Sequence, residues 1–138
     1  MADLWKCPKC GNQYGKPNQS HSCIWKSTVE ILRHDEFKIA LFNLIELQLK
    51  DRIEFASRNS NKAIIWVHKT AFAIFYWKRD SIEIRFYLTR EHDFPPVFKI
   101  MKRDEKAKKI AHLVRVYDED DVDDFLIDLL VEAFEVAK

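Results

Sequence analysis

From Ile24 to Lys138 the chain contains no glycine, and both of its glycines fall within residues 7 to 23, CPKCGNQYGKPNQSHSC. That distribution restricts what the chain can build. Turns in the long second part have to come from Asn, Asp and Lys, and prolines occur there only at Pro95 and Pro96. A glycine loop that cradles phosphates cannot be assembled, and neither G-x-S-x-G nor H-E-x-x-H occurs.

The same stretch holds all three cysteines and one of the five histidines. Cys7 and Cys10 make a C-x2-C pair, and His21 and Cys23 follow after ten residues, which is the spacing of two ligand pairs for one Zn2+. Pro8 stiffens the first turn, and Gly11 can take the positive φ that turns backbone N–H groups toward a thiolate. His21 and Cys23 are two apart, so in an extended segment they leave the same side. Gly15-Lys16-Pro17-Asn18 is turn chemistry that reverses the chain between the pairs. Three thiolates and one imidazole around Zn2+ leave about one negative charge, which Lys6, Lys9 and Lys16 are near enough in sequence to moderate. Such a set has no vacant position, so the zinc is expected to be structural. A redox C-x-x-C pair is the competing reading. It belongs beside a βαβ pattern, which is missing, and it leaves His21 and Cys23 without a role. A module this short also needs a staple to fold at all. The expected organisation is a zinc-binding module over 1–26 and a second domain over 27–138.

Length (138 residues), an apolar share of 47% and an aromatic share of 13% suit one packed domain with a small appendage. The opening MADLWK has no apolar signal-peptide core, and no later run is long and apolar enough to span a bilayer. Crowded thiols of odd number fit a reducing compartment, so the expected location is cytoplasmic, away from membranes.

Ser27-Thr28-Val29-Glu30 has the capping-box pattern, and Phe37, Leu41, Leu44, Ile45 and Gln48 recur at helical spacing, which predicts a helix or broken helix over 28–51. Strands are predicted at 63–69, 71–78 and 81–89, joined through Asn59-Ser60-Asn61 and Lys78-Arg79-Asp80, with a further strand at 112–117. The third run alternates, Ile82, Ile84, Phe86 and Leu88 one way and Glu83, Arg85, Tyr87 and Thr89 the other, as in a sheet with one face on a core. A closing helix over 119–137 carries the stripe Val122, Phe125, Leu126, Leu129, Leu130, Ala133, Phe134 and Ala137, with Asp118 as its N-cap. The predicted class is α+β: an antiparallel sheet of four to five strands packed with an N-terminal and a C-terminal helix.

The stretch from Trp5 to Cys23, together with Phe55 to Arg58, Lys69-Thr70-Ala71-Phe72 and the closing HLVRVYDEDDVDDFLIDLLVEAF, resembles the bacterial family catalogued as domain of unknown function 5655. The resemblance implies a compact α+β fold and supplies no activity. It carries over Cys7, Cys10, His21 and Cys23 as ligands and no catalytic residue.

Enzymatic signals are weak. His68, His92 and His112 each have the chemistry of a general base, but a lone histidine in a strand or polar loop is more often structural. The acidic run after Tyr117 lacks the spacing and glycine of a calcium loop and is explained as a helix N-terminus. Charge is more telling. Residues 1–57 carry 8 basic and 7 acidic groups, residues 58–117 carry 14 and 6, and residues 118–138 carry 1 and 9. The middle is therefore at +8 and the end at −8. A recognition surface is expected at Trp77, Arg79, Arg85, Tyr87, Lys102, Arg103 and Lys106. Arginines beside aromatics on an open sheet face suit single-stranded nucleic acid, unless the aromatics lie under a helix or the acidic helix cancels the patch. A binding module for a protein partner ranks first, nucleic-acid recognition second and catalysis last.

Overall fold

The computed structural model describes residues 4–6, 8, 13, 14, 26–101 and 108–137. A short hairpin pairs β1 (Trp5–Lys6) with β2 (Gln13–Tyr14). Two helices follow, α1 (Thr28–Ile31) and α2 (Glu36–Lys50). Six strands then form one antiparallel sheet: β3 (Ala56–Asn59), β4 (Ala63–Val67), β5 (Ala71–Trp77), β6 (Ile82–Leu88), β7 (Lys99–Met101) and β8 (Ile110–Val116), in the order β3-β4-β5-β6-β8-β7. A 3-10 turn at Glu119–Asp121 leads to α3 (Asp124–Val136). The class is α+β, as the sequence indicates, with the sheet extended at both edges by β3 and β7.

The helical segment over 28–51 is broken in two, and its termini show why. Ser27 caps α1 in a reciprocal box with Glu30, and Asp35 caps α2 through the Lys38 N–H. Between them the Arg33 N–H reaches the Glu30 carbonyl and the His34 N–H reaches the Val29 carbonyl. This is the Schellman pattern that closes a helix, with Arg33 at the position glycine usually fills. Arg33 and His34 both have φ of 55°, a left-handed conformation that costs non-glycine residues on the order of 1–3 kcal/mol each.

All three helices lie on one face of the sheet, α3 packing on β5 and β6 and against α2, and α1 against β4. Phe75, Ile84, Val114, Trp66, Phe86 and Leu88 point into this layer and are fully or almost fully buried. Trp66 is the centre of an aromatic cluster, its ring 4.3 Å from Phe75, 4.5 Å from Phe55 and 5.5 Å from Phe42. Burying each such ring contributes roughly 1.5–3 kcal/mol.

The closing helix differs from expectation at its start. Asp118 caps the 3-10 turn, and Asp123 caps α3 through the Leu126 N–H. The buried face also differs from the expected stripe: Ile127 is buried, whereas Phe125 is 74% exposed. Phe37 of α2 is likewise 58% exposed.

Candidate recognition surfaces

Cys7, Cys10, His21 and Cys23 lie outside the described residues, as do Lys102, Arg103 and Lys106. What is described beside the cysteines is the β1–β2 ladder, with Trp5 opposite Tyr14 and Lys6 opposite Gln13. Among the described residues no group of three or more His, Cys, Asp or Glu side chains is placed to hold a metal.

Strand register sorts the remaining expected residues. Paired residues share a sheet face. Arg58, Ile65, Ile74, Arg85, Leu113 and Lys99 form one row across all six strands, on the face away from the helices. Tyr76, Glu83 and Arg115 make the adjacent row, with Arg115 Nε 3.7 Å from the Glu83 carboxylate. Tyr87 is on the same side, opposite Ala111. Trp77 is not: it pairs with Ile82, which pairs with Val116, on the helix-covered face. Phe75 is buried there too, and Arg79 is exposed in the turn between β5 and β6. Arg85 and Tyr87 are thus brought together, while Trp77 belongs to a different site. The outer row carries Arg58, Arg85 and Lys99, residues that only the register assembles. The acidic helix does not cover this face. It spends charge on the other side, where Arg90 grips Glu132 with bonds of 2.9 and 2.8 Å and Arg52 meets Asp128 at 2.6 Å. Glu132 holds the Arg90 guanidinium above its ordinary pKa.

A second surface lies on α2. Leu41, Phe42, Ile45 and Leu49 face the core, while Phe37, Ala40 and Leu47 are exposed and Leu44 is half-buried. Phe37, Ala40, Leu41 and Leu44 line a groove of about 350 Å³ whose other wall is Asp118, Glu119 and Asp120. The apolar floor and acidic wall meet because the 3-10 turn runs beside the first half of α2.

Trp77 lines a third concavity, of about 470 Å³, at the end of the sheet where α1 and the β3–β4 and β5–β6 turns meet. The Arg33 guanidinium sits 4.0 Å from its ring centroid and Lys38 Nζ 5.3 Å. Lys38 also pairs with Asp35 at 2.8 Å and holds the Asp35 carboxyl below the usual carboxylate range.

The histidines considered as bases are engaged elsewhere. His68 Nδ1–H donates to the Phe134 carbonyl at 3.0 Å, and the ring stacks on Phe134. His112 is fully buried. Its Nδ1–H donates to the Ile110 carbonyl and its Nε2 accepts the His92 N–H, both at 2.9 Å, which sets a neutral ring. Burial holds its pKa below the ordinary histidine value. His92 Nδ1 is 3.2 Å from Arg90 Nη1, on an exposed loop.

A six-stranded antiparallel sheet backed on one face by helices defines an α+β domain. The chain belongs to the family described as Domain of unknown function (DUF5655), which matches residues 30–137. The match begins at Glu30, so membership is carried by the α+β domain and not by the Cys/His segment. Nothing among curated proteins or solved structures matches the chain. Among the described residues no helix is long and apolar enough to cross a membrane.

Proposed function

We propose that the chain is a cytoplasmic binding module that recognises a basic, amphipathic segment of a protein partner, with a structural zinc at Cys7, Cys10, His21 and Cys23 stapling its N-terminal part. The observation that carries the recognition is the second apolar stripe of α2, exposed Phe37, Ala40 and Leu47 with half-buried Leu44, whose first half runs beside the acidic turn Asp118–Asp120. An isolated exposed leucine is ordinary, but an aligned stripe in a groove with one acidic wall matches a helix that has apolar residues on one face and lysines on its flank. The β1–β2 pairing supports the zinc, because the two paired strands flank the first cysteine pair in sequence.

The test is fluorescence anisotropy with a labelled helical peptide of Leu and Lys, against its Leu and Glu counterpart. The Lys peptide should bind and weaken as salt rises; replacing both Phe37 and Leu47 by Ser should weaken it roughly tenfold or more. Equal binding of both peptides, or unchanged binding to the Ser variant, sinks the reading.

A second reading is favoured by the outer sheet row. Arg58, Arg85 and Lys99, with Arg115, Tyr76 and Tyr87 beside them, combine cations and rings on an uncovered face, the combination that holds single-stranded nucleic acid. Lys102, Arg103 and Lys106 follow β7 directly in sequence and would extend it. Binding to DNA or RNA at physiological salt, lost in an Arg85→Glu and Lys99→Glu double variant, would put this reading first.

A further inference from the structure

We propose that the concavity around Trp77 is a binding site for a small phosphomonoester, separate from the α2 groove, with the phosphate held by Arg33, Lys62 and Lys78 and the organic part laid against Trp77. Three independent observations converge on it.

The first is charge. Lys26, Arg33, Lys62 and Lys78 all line this one cavity, each supplied by a different segment of the chain. Like charges gathered around a shared space give it a positive potential, which attracts an anion. The one acid in the lining, Glu30, is committed to the cap of α1, where it accepts the Ser27 N–H; that bond holds its carboxyl below the usual range and leaves it no proton to donate.

The second is backbone conformation. Arg33 occupies the helix-closing position where glycine fits without strain, yet its φ is 55° and its guanidinium lies over Trp77. Strain of this kind persists where the side chain it places has work to do. Here it holds a planar, permanently charged fork at the mouth of a basic cavity, the geometry suited to phosphate oxygens.

The third is an unused donor. The Trp77 Nε1–H is buried and meets no acceptor among the described residues. The indole therefore has a donor to offer should the Arg33 guanidinium over the ring shift on binding. A phosphomonoester is the best match for this set. It is largely a dianion at neutral pH and offers three terminal oxygens, and the cavity of about 470 Å³ is larger than a phosphate alone needs. Trp77 gives the remaining volume an aromatic lining.

The experiment follows the Trp77 indole resonance in 15N-labelled full-length protein, assigned with Trp77→Phe, while adenosine 5′-monophosphate, adenosine or inorganic phosphate is added at constant ionic strength. The monophosphate should shift the resonance saturably, adenosine should not, and inorganic phosphate should bind about tenfold more weakly for want of the ring contacts. Arg33→Gln and Lys62→Gln should each raise the Kd by roughly tenfold, and Lys69→Gln, outside the cavity, should leave it unchanged. If Arg33→Gln does not fold, Lys62→Gln decides, because the Lys62 side chain is exposed in a turn. An unmoved indole, equal responses to adenosine and the monophosphate, equal affinity for inorganic phosphate, or full binding by Lys62→Gln overturns the proposal.

Discussion

The Nε2 of His112 accepts the backbone N–H of His92 at 2.9 Å, tying a strand in the core to the loop that carries Arg90. This bond exists only while the ring is neutral. Burial lowers the His112 pKa from 6.5, so the unfolded chain takes up this proton before the native one does. The contribution is complete above about pH 6.5 and is lost as pH falls below it, by at most about 1.4 kcal/mol per pH unit until the native ring protonates. Melting temperatures between pH 7.5 and 5 should therefore drop more steeply for the natural chain than for His112→Gln. Parallel profiles would assign the acid sensitivity to other groups.

Burial predicts opposite fates for two phenylalanines. Phe75 is fully buried and touches Trp66 and Phe42, so Phe75→Ala should cost about 3–5 kcal/mol in urea unfolding. Phe125, exposed on α3, should lose no more than about 0.5 kcal/mol on the same change. Comparable losses would mean that α3 is rotated from the position described.

His34 is exposed with φ of 55°. His34→Gly should relieve the left-handed cost and stabilise the fold by up to about 1 kcal/mol, after the added freedom of the unfolded glycine is set against it. His34→Val should destabilise, because a β-branched residue resists this conformation. Differential scanning calorimetry on the pair decides the sign.

For the zinc, metal analysis should find about one ion per chain, with sulfur ligands near 2.3 Å. Cys10→Ser should lose it. Because the α+β domain has its own core, chelation is expected to leave most of the far-ultraviolet circular dichroism unchanged. A sample purified without chelator that is folded and metal-free would refute the assignment.

Much of the architecture is legible in the residues. Ile82, Ile84, Phe86 and Leu88 alternate with Glu83, Arg85 and Tyr87, and that pattern declares both a strand and its faces. The edge strands are another matter. Ala-Ser-Arg-Asn in β3 is short and largely polar, Lys-Ile-Met in β7 is too short to show alternation, and each is held by pairing on one side only. Such segments become strands through their neighbour and not through pattern. Site residues were harder still. Whether Trp77 shares a face with Arg85 depends on the register set by the turn at 78–81, where Lys78 and Ser81 exchange backbone bonds. Without a glycine to announce the turn type, that register cannot be read from the letters. The same holds for Arg33, whose helix-closing role is ordinarily signalled by glycine.

The one-sided placement of α3 has a consequence for synthesis. Each strand pairs with one made shortly before or after it, so the sheet can be assembled as the chain grows. The helix that seals it follows β8 in sequence. Until Leu126, Leu130 and Phe134 have left the ribosome, Phe72 and its neighbours on β5 and β6 lack the partner they pack against. A growing chain therefore passes through a stage with a formed sheet whose apolar layer is covered by α2 but not yet by α3, the stage at which it is most open to chaperones and to association with its own copies.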